Sequence, residues 1–338
     1  MNREDIVFRV PDSGLFVSAN NYTPTQQPEH ASGEVTLVFA HCSSAHKDQW
    51  EDTVARLFHI SAASNQLSQS WRVRDAWALD AQGYGDSPIL GKNPPASRKP
   101  LSVSEYANVL RYFVTSIFVQ GRSIIAIGHS ESTSAWTMAC AGATLPAIRA
   151  MIFIEPVMLA PVVLQEDGPT TKEDTTMIGV LLRADPFRNI ATVQKAMQRR
   201  SRWKLWDERI FEAHLKHGFV ESLDHATELM DIPTCPDAQA AASLYSSHGR
   251  LLVVSGTLTS DVCSRYAVHV VFGERSEAVQ NETLKSKCGA IAASVSNVPT
   301  SGNLTVHQIP ETVAEVILRI IQSPLGMNME GGRMTARL

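Results

Sequence analysis

The 338-residue chain, 44% hydrophobic and 19% charged, has ample apolar material for a core and is long enough for one large α/β domain or two small ones. Its formal net charge of −4 at pH 7 argues against a nucleic-acid binder or a basic membrane-surface protein, and the lack of any run of about 18 apolar residues leaves no membrane span to expect. The five cysteines, Cys42, Cys140, Cys235, Cys263 and Cys288, are odd in number and form no C-x-x-C pair, which argues against a metal or disulfide framework and for a reducing compartment.

In chain order, the charged N-terminus MNREDIVFRVPDSG lacks the apolar stretch of a secretory signal. Val35–Ala40 (VTLVFA), Trp77–Asp80 (WALD), Ile124–Ile127 (IIAI), Met151–Ile154 (MIFI) and Val268–Phe272 (VHVVF) predict buried strands. Continuous apolar runs of this kind suit a parallel sheet covered on both faces. Helices are predicted over Ser104–Val119 and Glu131–Gly142, and over Glu311–Gln322 behind Pro310, with Val313, Val316, Ile317 and Ile320 on one face. The alternation predicts a doubly wound, mostly parallel α/β sheet. From about Pro161 to Ser246, charged helical segments such as TVQKAMQRRSRWKLWDERIFEAHLKHGF interrupt the strands. The expected organisation is therefore a core in two parts, 1–160 and 247–325, around a helical cap at 161–246, with a flexible tail at 326–338. LLVVSG, near the start of the second part, reads equally as a strand or a buried loop.

Four stretches carry chemistry. In IIAIGHSESTSAW, a strand runs into Gly128-His129-Ser130-Glu131-Ser132 and then a helix. Small–x–Ser–x–small at that junction is the pattern of a nucleophile elbow, with Ser132 in place of the usual second glycine. The alternative is a strand-end serine that only caps the helix. In VTLVFAHCSSAHKDQWE, a strand ends in His41-Cys42; the backbone N–H groups of Cys42 and Glu131 would form an oxyanion hole, each such donor being worth about 2.7–4 kcal/mol. His41 reads as a residue that fixes the turn, and no histidine pairing recommends Cys42 itself over Ser130 as nucleophile. In WALDAQGYGDSP, Asp80 reads as structural, since no helix begins there to complete a dinucleotide fingerprint. For the acid, Glu155 at the end of MIFIE and Glu274 or Glu277 in VVFGERSEAV all follow the serine, as the order Ser–acid–His requires.

These stretches resemble the α/β-hydrolases of fungal secondary metabolism, of the kind found in host-selective toxin and mycophenolic-acid biosynthesis. The resemblance rests on His41 through Trp50-Glu51 with Lys47, Asp80 with Gly85-Asp86-Ser87, and Gly128-His129-Ser130. It extends to Arg199-Arg200, Trp206-Asp207 and His217-Gly218, to Cys235-Pro236, Ala240 and Tyr245, and to Gly273 with Arg275-Ser276. It ends at Ala336-Arg337-Leu338, a tripeptide of the type read by the peroxisomal import receptor. What it implies is a peroxisomal serine hydrolase (a thioesterase or esterase) with an α/β-hydrolase fold, needing no metal or other cofactor, and with Glu155 as the acid.

It also implies a histidine about seven residues before the proline of the last helix. Asn303 holds that place in SGNLTVHQIPETVAEVI, and His307 follows four residues later. Three readings compete: His307 is the base from a shifted loop; the base is missing; or another histidine, such as His129 or one from the cap, substitutes. Asn303 cannot take a proton at neutral pH. Loss of the base would cost about 10⁴–10⁶-fold in kcat. The expected function is hydrolysis of an acyl-CoA thioester or an ester by Ser130, His307 and Glu155; the alternative is a degenerate hydrolase that binds a pathway intermediate. The run QRRSRWK (198–204) reads either as a CoA phosphate site with Trp203 on the adenine or as a solvated face with a tryptophan anchor.

Overall fold

Five apolar strands form the centre of the sheet: Glu34–Ala40 (β3), Arg72–Leu79 (β4), Ile124–His129 (β5), Ile148–Ile154 (β6) and Ala267–Gly273 (β9). The computed structural model describes residues 1–11, 13–26, 33–42, 45–63, 71–81, 84–87, 103–142, 144–145, 147–156, 190–199, 203–218, 220–221, 230–231, 260–276 and 290–323. Two polar strands, Asn2–Arg9 (β1) and Phe16–Thr23 (β2), and the short Ser294–Val298 (β10) complete an eight-stranded sheet in the order β1-β2-β4-β3-β5-β6-β9-β10. From β4 to β10 every pairing is parallel; β1, β2 and β4 pair antiparallel. A separate two-residue ladder joins Val220–Glu221 (β7) to Met230–Asp231 (β8).

The central strands lack polar alternation because both of their faces are covered. Leu37, Phe39, Ile125, Ile127, Ile152 and Ile154 face helices Glu51–Ala63 (α1) and, at the C-terminal end, Pro310–Gln322 (α7). Val38, Ala40, Ala126, Met151, Phe153 and Val270 face Val103–Thr115 (α2) and Glu131–Ala139 (α3). Val313, Val316, Ile317 and Ile320 form the buried stripe of α7, as the periodicity predicted. The helix predicted over Ser104–Val119 is shorter: α2 ends at Thr115, and a 3₁₀ turn follows at Ile117–Val119. Ser116 ends the run, its hydroxyl accepting from the Phe118 N–H.

The β1–β2 hairpin and β10 carried no apolar signal because β1 and β10 are sheet edges. Asn20 of β2 is buried, and its side-chain N–H groups donate to the Tyr22 hydroxyl and the Asp48 carboxylate, so a polar residue sits inside a strand with its donors satisfied. Between β6 and β9, neighbours in the sheet, lie Ile190–Gln198 (α4) and Glu208–His217 (α5). The Asp207 N–H, at the start of α5, donates to the His307 carbonyl (2.8 Å), and α5 packs on the 3₁₀ turn Lys47–Trp50. The predicted cap boundaries at 161 and 246, the LLVVSG run and the tail with Ala336-Arg337-Leu338 lie outside the described residues.

One buried charge holds the loops around this edge. Lys47 is fully buried, its Nζ 3.0 Å from Asp48, 3.4 Å from Asp80 and paired with Asp86. The N–H groups of Lys47 (2.8 Å) and Asp86 (3.0 Å) donate to the two Asp80 oxygens, so Asp80 clamps two loops and is structural, as its sequence context indicated. Gly85 has φ 56°, and any Cβ there would overlap the Asp80 carboxylate. A buried ion pair that loses one partner leaves an uncompensated charge. Lys47→Met is therefore expected to lower the unfolding free energy by about 3–5 kcal/mol, measured by urea denaturation at pH 7. Asp86 is held at about 2 by its hydrogen bond with His217 and, against its burial, by the Lys47 charge. A carboxylate depressed in the folded state contributes stability above its ordinary 3.8 and loses it as the pH falls toward about 2. The fall in stability between those values should be shallower in Asp86→Asn than in the unsubstituted protein.

Candidate active site

Parallel register brings four strand ends into one row. Ala40 pairs with Gly128, Gly128 with Phe153, and Ile154 with Val271. The residues just past those ends, Cys42, Ser130, Glu155 and Glu274, consequently share the carboxyl edge of the sheet. In open α/β sheets this edge is where ligands bind.

Ser130 joins β5 to α3 at φ 53°, ψ −120°, outside the regions that L-residues ordinarily occupy. Three contacts keep it there. Its N–H donates to the Ile154 carbonyl (2.8 Å), and its own carbonyl accepts from the N–H (3.0 Å) and hydroxyl (2.6 Å) of Thr133. Gly128 lets α3 approach β5 closely: a Cβ there would lie 3.0 Å from the Trp136 ring and 3.1 Å from the Thr133 nitrogen, tighter than ordinary contact. Ser132, in the second small position, uses its hydroxyl to tie β3 to β5. It accepts from the His129 N–H (2.8 Å) and lies 2.9 Å from the Ala40 carbonyl and 3.0 Å from that of His129. The Ser130 side chain makes no capping bond to α3, which removes the reading of a serine kept only as a helix cap.

His41 fixes the neighbouring turn. Burial pushes it down to about 3, so it is neutral: Nδ1–H donates to the Cys42 carbonyl (2.7 Å), and Nε2 accepts from the Ala81 N–H (2.9 Å). With both nitrogens engaged, His41 is no base. Burial and then the Glu131 carboxylate push the Cys42 thiol up to about 12. The two residues expected to supply oxyanion donors are therefore neighbours.

Glu155 is buried just past β6, at φ 49°. Its carboxylate accepts from the Gly273 N–H and from the hydroxyls of Ser276 and Thr305. Burial raises it to about 7, and those three bonds limit the rise. No imidazole is among these partners. Glu274 is exposed and accepts from the Thr300 N–H (3.0 Å), an edge contact; Glu277 lies outside the described residues.

Asn303 is exposed, and its carbonyl lies 3.2 Å from His129 Nε2. His307 sits on the short helix Thr305–Gln308 (α6), 2% exposed, its ring stacked on Trp206 (4.1 Å) and 5.4 Å from the His129 ring. Burial, then the neighbouring imidazoles His129, His214, His46 and His41, push it well below its ordinary value. The edge thus gathers imidazoles that stay neutral: burial pushes His129 down to about 4 and His214 to about 3. His46 stacks on His214 at 5.6 Å. Sequence reasoning named a cap histidine only in general terms and gave His46 and Trp206 no place at this edge; they stand within or beside HKDQWE and WDERIFEAH, but nothing in their spacing marks them as neighbours. It also found no histidine partner for Cys42, whereas donor atoms of Cys42, His129 and His307 lie within 4.8 Å of one another. The correction follows from their coming from three separate elements. Trp203 packs on Trp206 (4.5 Å) and His214 (5.6 Å), beside Val193, Met197 and Phe211, which is the packing of an anchor. Arg200 to Arg202 lie outside the described residues.

An edge of this kind, with a serine on a strained strand-to-helix turn and a second loop beside it after β3, defines a class of hydrolase-like proteins. Residues 37–316, most of the chain, match the family described as the alpha/beta hydrolase family, and the chain belongs to it. Among solved structures, it is similar to the peroxisomal α/β-hydrolase Lpx1 of Saccharomyces cerevisiae, with TM-score 0.71 and 18% identity over 100% of this chain and 92% of that one. It is also similar to an E-2-(acetamidomethylene)succinate hydrolase (TM-score 0.61, 17% identity, 95% and 100% of the two chains). A thioesterase domain from the curacin biosynthetic pathway is similar too (TM-score 0.61, 15% identity, 94% and 100%). No curated protein matches the chain by sequence.

A carboxyl raised in the folded state binds its proton more tightly there than when unfolded, so folding loses stability as the pH rises through the two values. For Glu155 that window runs from 4.5 to about 7, a loss on the order of 3 kcal/mol. In melting curves from pH 4.5 to 8, Glu155→Gln is expected to lose less stability on the alkaline side than the unsubstituted protein.

Proposed function

We propose that the chain is a serine hydrolase acting on acyl thioesters or esters. Ser130 attacks the acyl carbonyl, and the Cys42 and Glu131 N–H groups receive the negative charge that develops on its oxygen. His307 takes the serine proton and passes it to the leaving group. The observation that carries this reading is the backbone of Ser130, which projects a hydroxyl from a strained turn and spends none of it on capping the helix. The lid is formed in this reading by α4 and α5, between β6 and β9, with Trp206 stacked on His307. Glu155 is the acid of the set; its position at the strand edge and its contact with Thr305, on the same short helix as His307, support that role.

The setting is fungal secondary metabolism, in the peroxisome, with import by way of Ala336-Arg337-Leu338. Support comes from the sequence resemblance and from the peroxisomal assignment of the yeast Lpx1 protein. Deleting Leu338 in a fluorescent fusion is expected to release the signal from peroxisomes.

A second reading is favoured by the Glu155 carboxyl itself. Its partners are an amide and two hydroxyls, and near neutral pH it is partly protonated, which suits a fold that binds an acyl compound without turning it over. Labelling with a serine-directed fluorophosphonate separates the two readings. The hydrolase reading expects labelling that is lost in Ser130→Ala, together with a fall in thioester hydrolysis of about 10⁴–10⁶-fold. Folded protein that never labels supports binding instead. Unchanged hydrolysis in His307→Ala removes that residue as base, and a many-fold gain in Asn303→His identifies a base that the chain lacks.

A further inference from the structure

Cys42 follows β3, His129 ends β5 and His307 lies on α6; each is almost wholly buried, 6%, 0% and 2% exposed respectively. One donor atom from each lies within 4.8 Å of the other two. Tetrahedral zinc, with bonds of about 2.0–2.1 Å to nitrogen and 2.3 Å to sulfur, holds such donors roughly 3.3–3.7 Å apart, so side-chain shifts of about 1 Å close the set.

The imidazoles are already in the electronic state a metal ligand needs. His129 Nε2 faces the Asn303 carbonyl at 3.2 Å, an acceptor that places the proton on Nε2 and leaves Nδ1 with its lone pair. That is the outer-shell bond by which metal-binding histidines are ordinarily oriented. Among the described residues, the Nδ1 atoms of His129 and His307 are both buried without a hydrogen-bond partner. Each such orphaned nitrogen costs about 1–3 kcal/mol unless something binds it. No carboxylate belongs to the set, so hard cations such as magnesium have no oxygen donors here, and one sulfur with two imidazoles suits a borderline-soft ion.

We propose that Cys42, His129 and His307 form a binding site for a single zinc-type divalent cation. Binding forms one metal–sulfur and two metal–nitrogen bonds and releases the Cys42 thiol proton to solvent. Because His307 is shared, a bound cation withdraws it from any role as base; binding itself does not depend on the hydrolytic reading. The other close set among the described residues, Asp48, Asp86 and His217, is a poorer candidate because the Lys47 ammonium already pairs with both of its carboxylates.

The test is titration of the metal-free, full-length protein with zinc against a chromogenic chelator, and with cobalt followed by its thiolate charge-transfer absorption. The expected result is one saturable equivalent, with affinity falling about 100-fold or more in Cys42→Ser and in His307→Gln, magnesium not competing, and Ser130→Ala binding normally. X-ray absorption at the zinc edge of the unsubstituted protein, which needs no variant to fold, should show one sulfur and two imidazole nitrogens. Absence of saturable binding, a coordination sphere without sulfur, or affinity unchanged in folded Cys42→Ser would overturn the site. Normal zinc binding, with no fluorophosphonate labelling of the metal-free protein, would leave the cation site standing and remove the hydrolase reading alone.

Discussion

The positive φ of Ser130 is the constraint around which the carboxyl edge is built. An L-residue held outside its ordinary backbone regions costs about 1–3 kcal/mol, and the surroundings must over-determine it. Here that is done from both sides: Ile154 of the adjacent strand takes the Ser130 N–H, Thr133 of the following helix takes its carbonyl, and Gly128 lets that helix approach the strand. Ser132 joins β3 to the same point, which places Cys42 next to Glu131. A change in the register of β3, β5 or β6 would separate all of these groups together.

The wall on one side of this edge is charged and the other is neutral, and both are buried. Lys47 offsets Asp48, Asp80 and Asp86 within the loops that follow β3 and β4. Arg3 from β1 reaches Asp48 as well, at 2.8 Å, so the polar N-terminal hairpin is fastened to the same network. His129, His214 and His307 are kept neutral by burial; His129 packs on His307, and His307 and His214 both pack on Trp206. His46 stands between the two, 3.3 Å from an Asp48 oxygen and stacked on His214. Rigid charge pairing fixes the loops, while the neutral rings leave nitrogen lone pairs available at the edge.

Glu155 and the imidazoles occupy different parts of that edge. Glu155 is turned toward β9 and the 301–305 loop, where Gly273, Ser276 and Thr305 hold it. His129 and His307 are turned toward Cys42. Gly273 has no room for a Cβ because the Gly302 and Ser301 carbonyls and the Thr305 hydroxyl crowd it, so the loop carrying Asn303 is pressed against the sheet. His307 reaches the edge from α6, four residues beyond Asn303, and Trp206 of the segment between β6 and β9 stacks on it.

Much of the fold was written in local pattern. Unbroken apolar runs marked β3, β5, β6 and β9 because both faces of a parallel sheet are dry, and small residues around Ser130 marked the elbow because strand and helix must nearly touch there. Edge strands β1 and β10 left no such trace, since an edge gains little from apolar side chains, and the buried Asn20 in β2 looked polar until Asp48 and Tyr22 stood beside it. The amino-acid sequence alone thus marked the central strands and the turn at Ser130, which depend on near neighbours along the chain, and it pointed to His41 and Asp80 as framework residues without showing that Ala81 and Lys47 are what they bind. Tertiary structure alone decided that Cys42 meets two imidazoles, that Glu155 bonds to hydroxyls and an amide, and that Lys47 is buried among carboxylates. Those contacts join elements far apart in sequence, and only strand order and register bring them within reach.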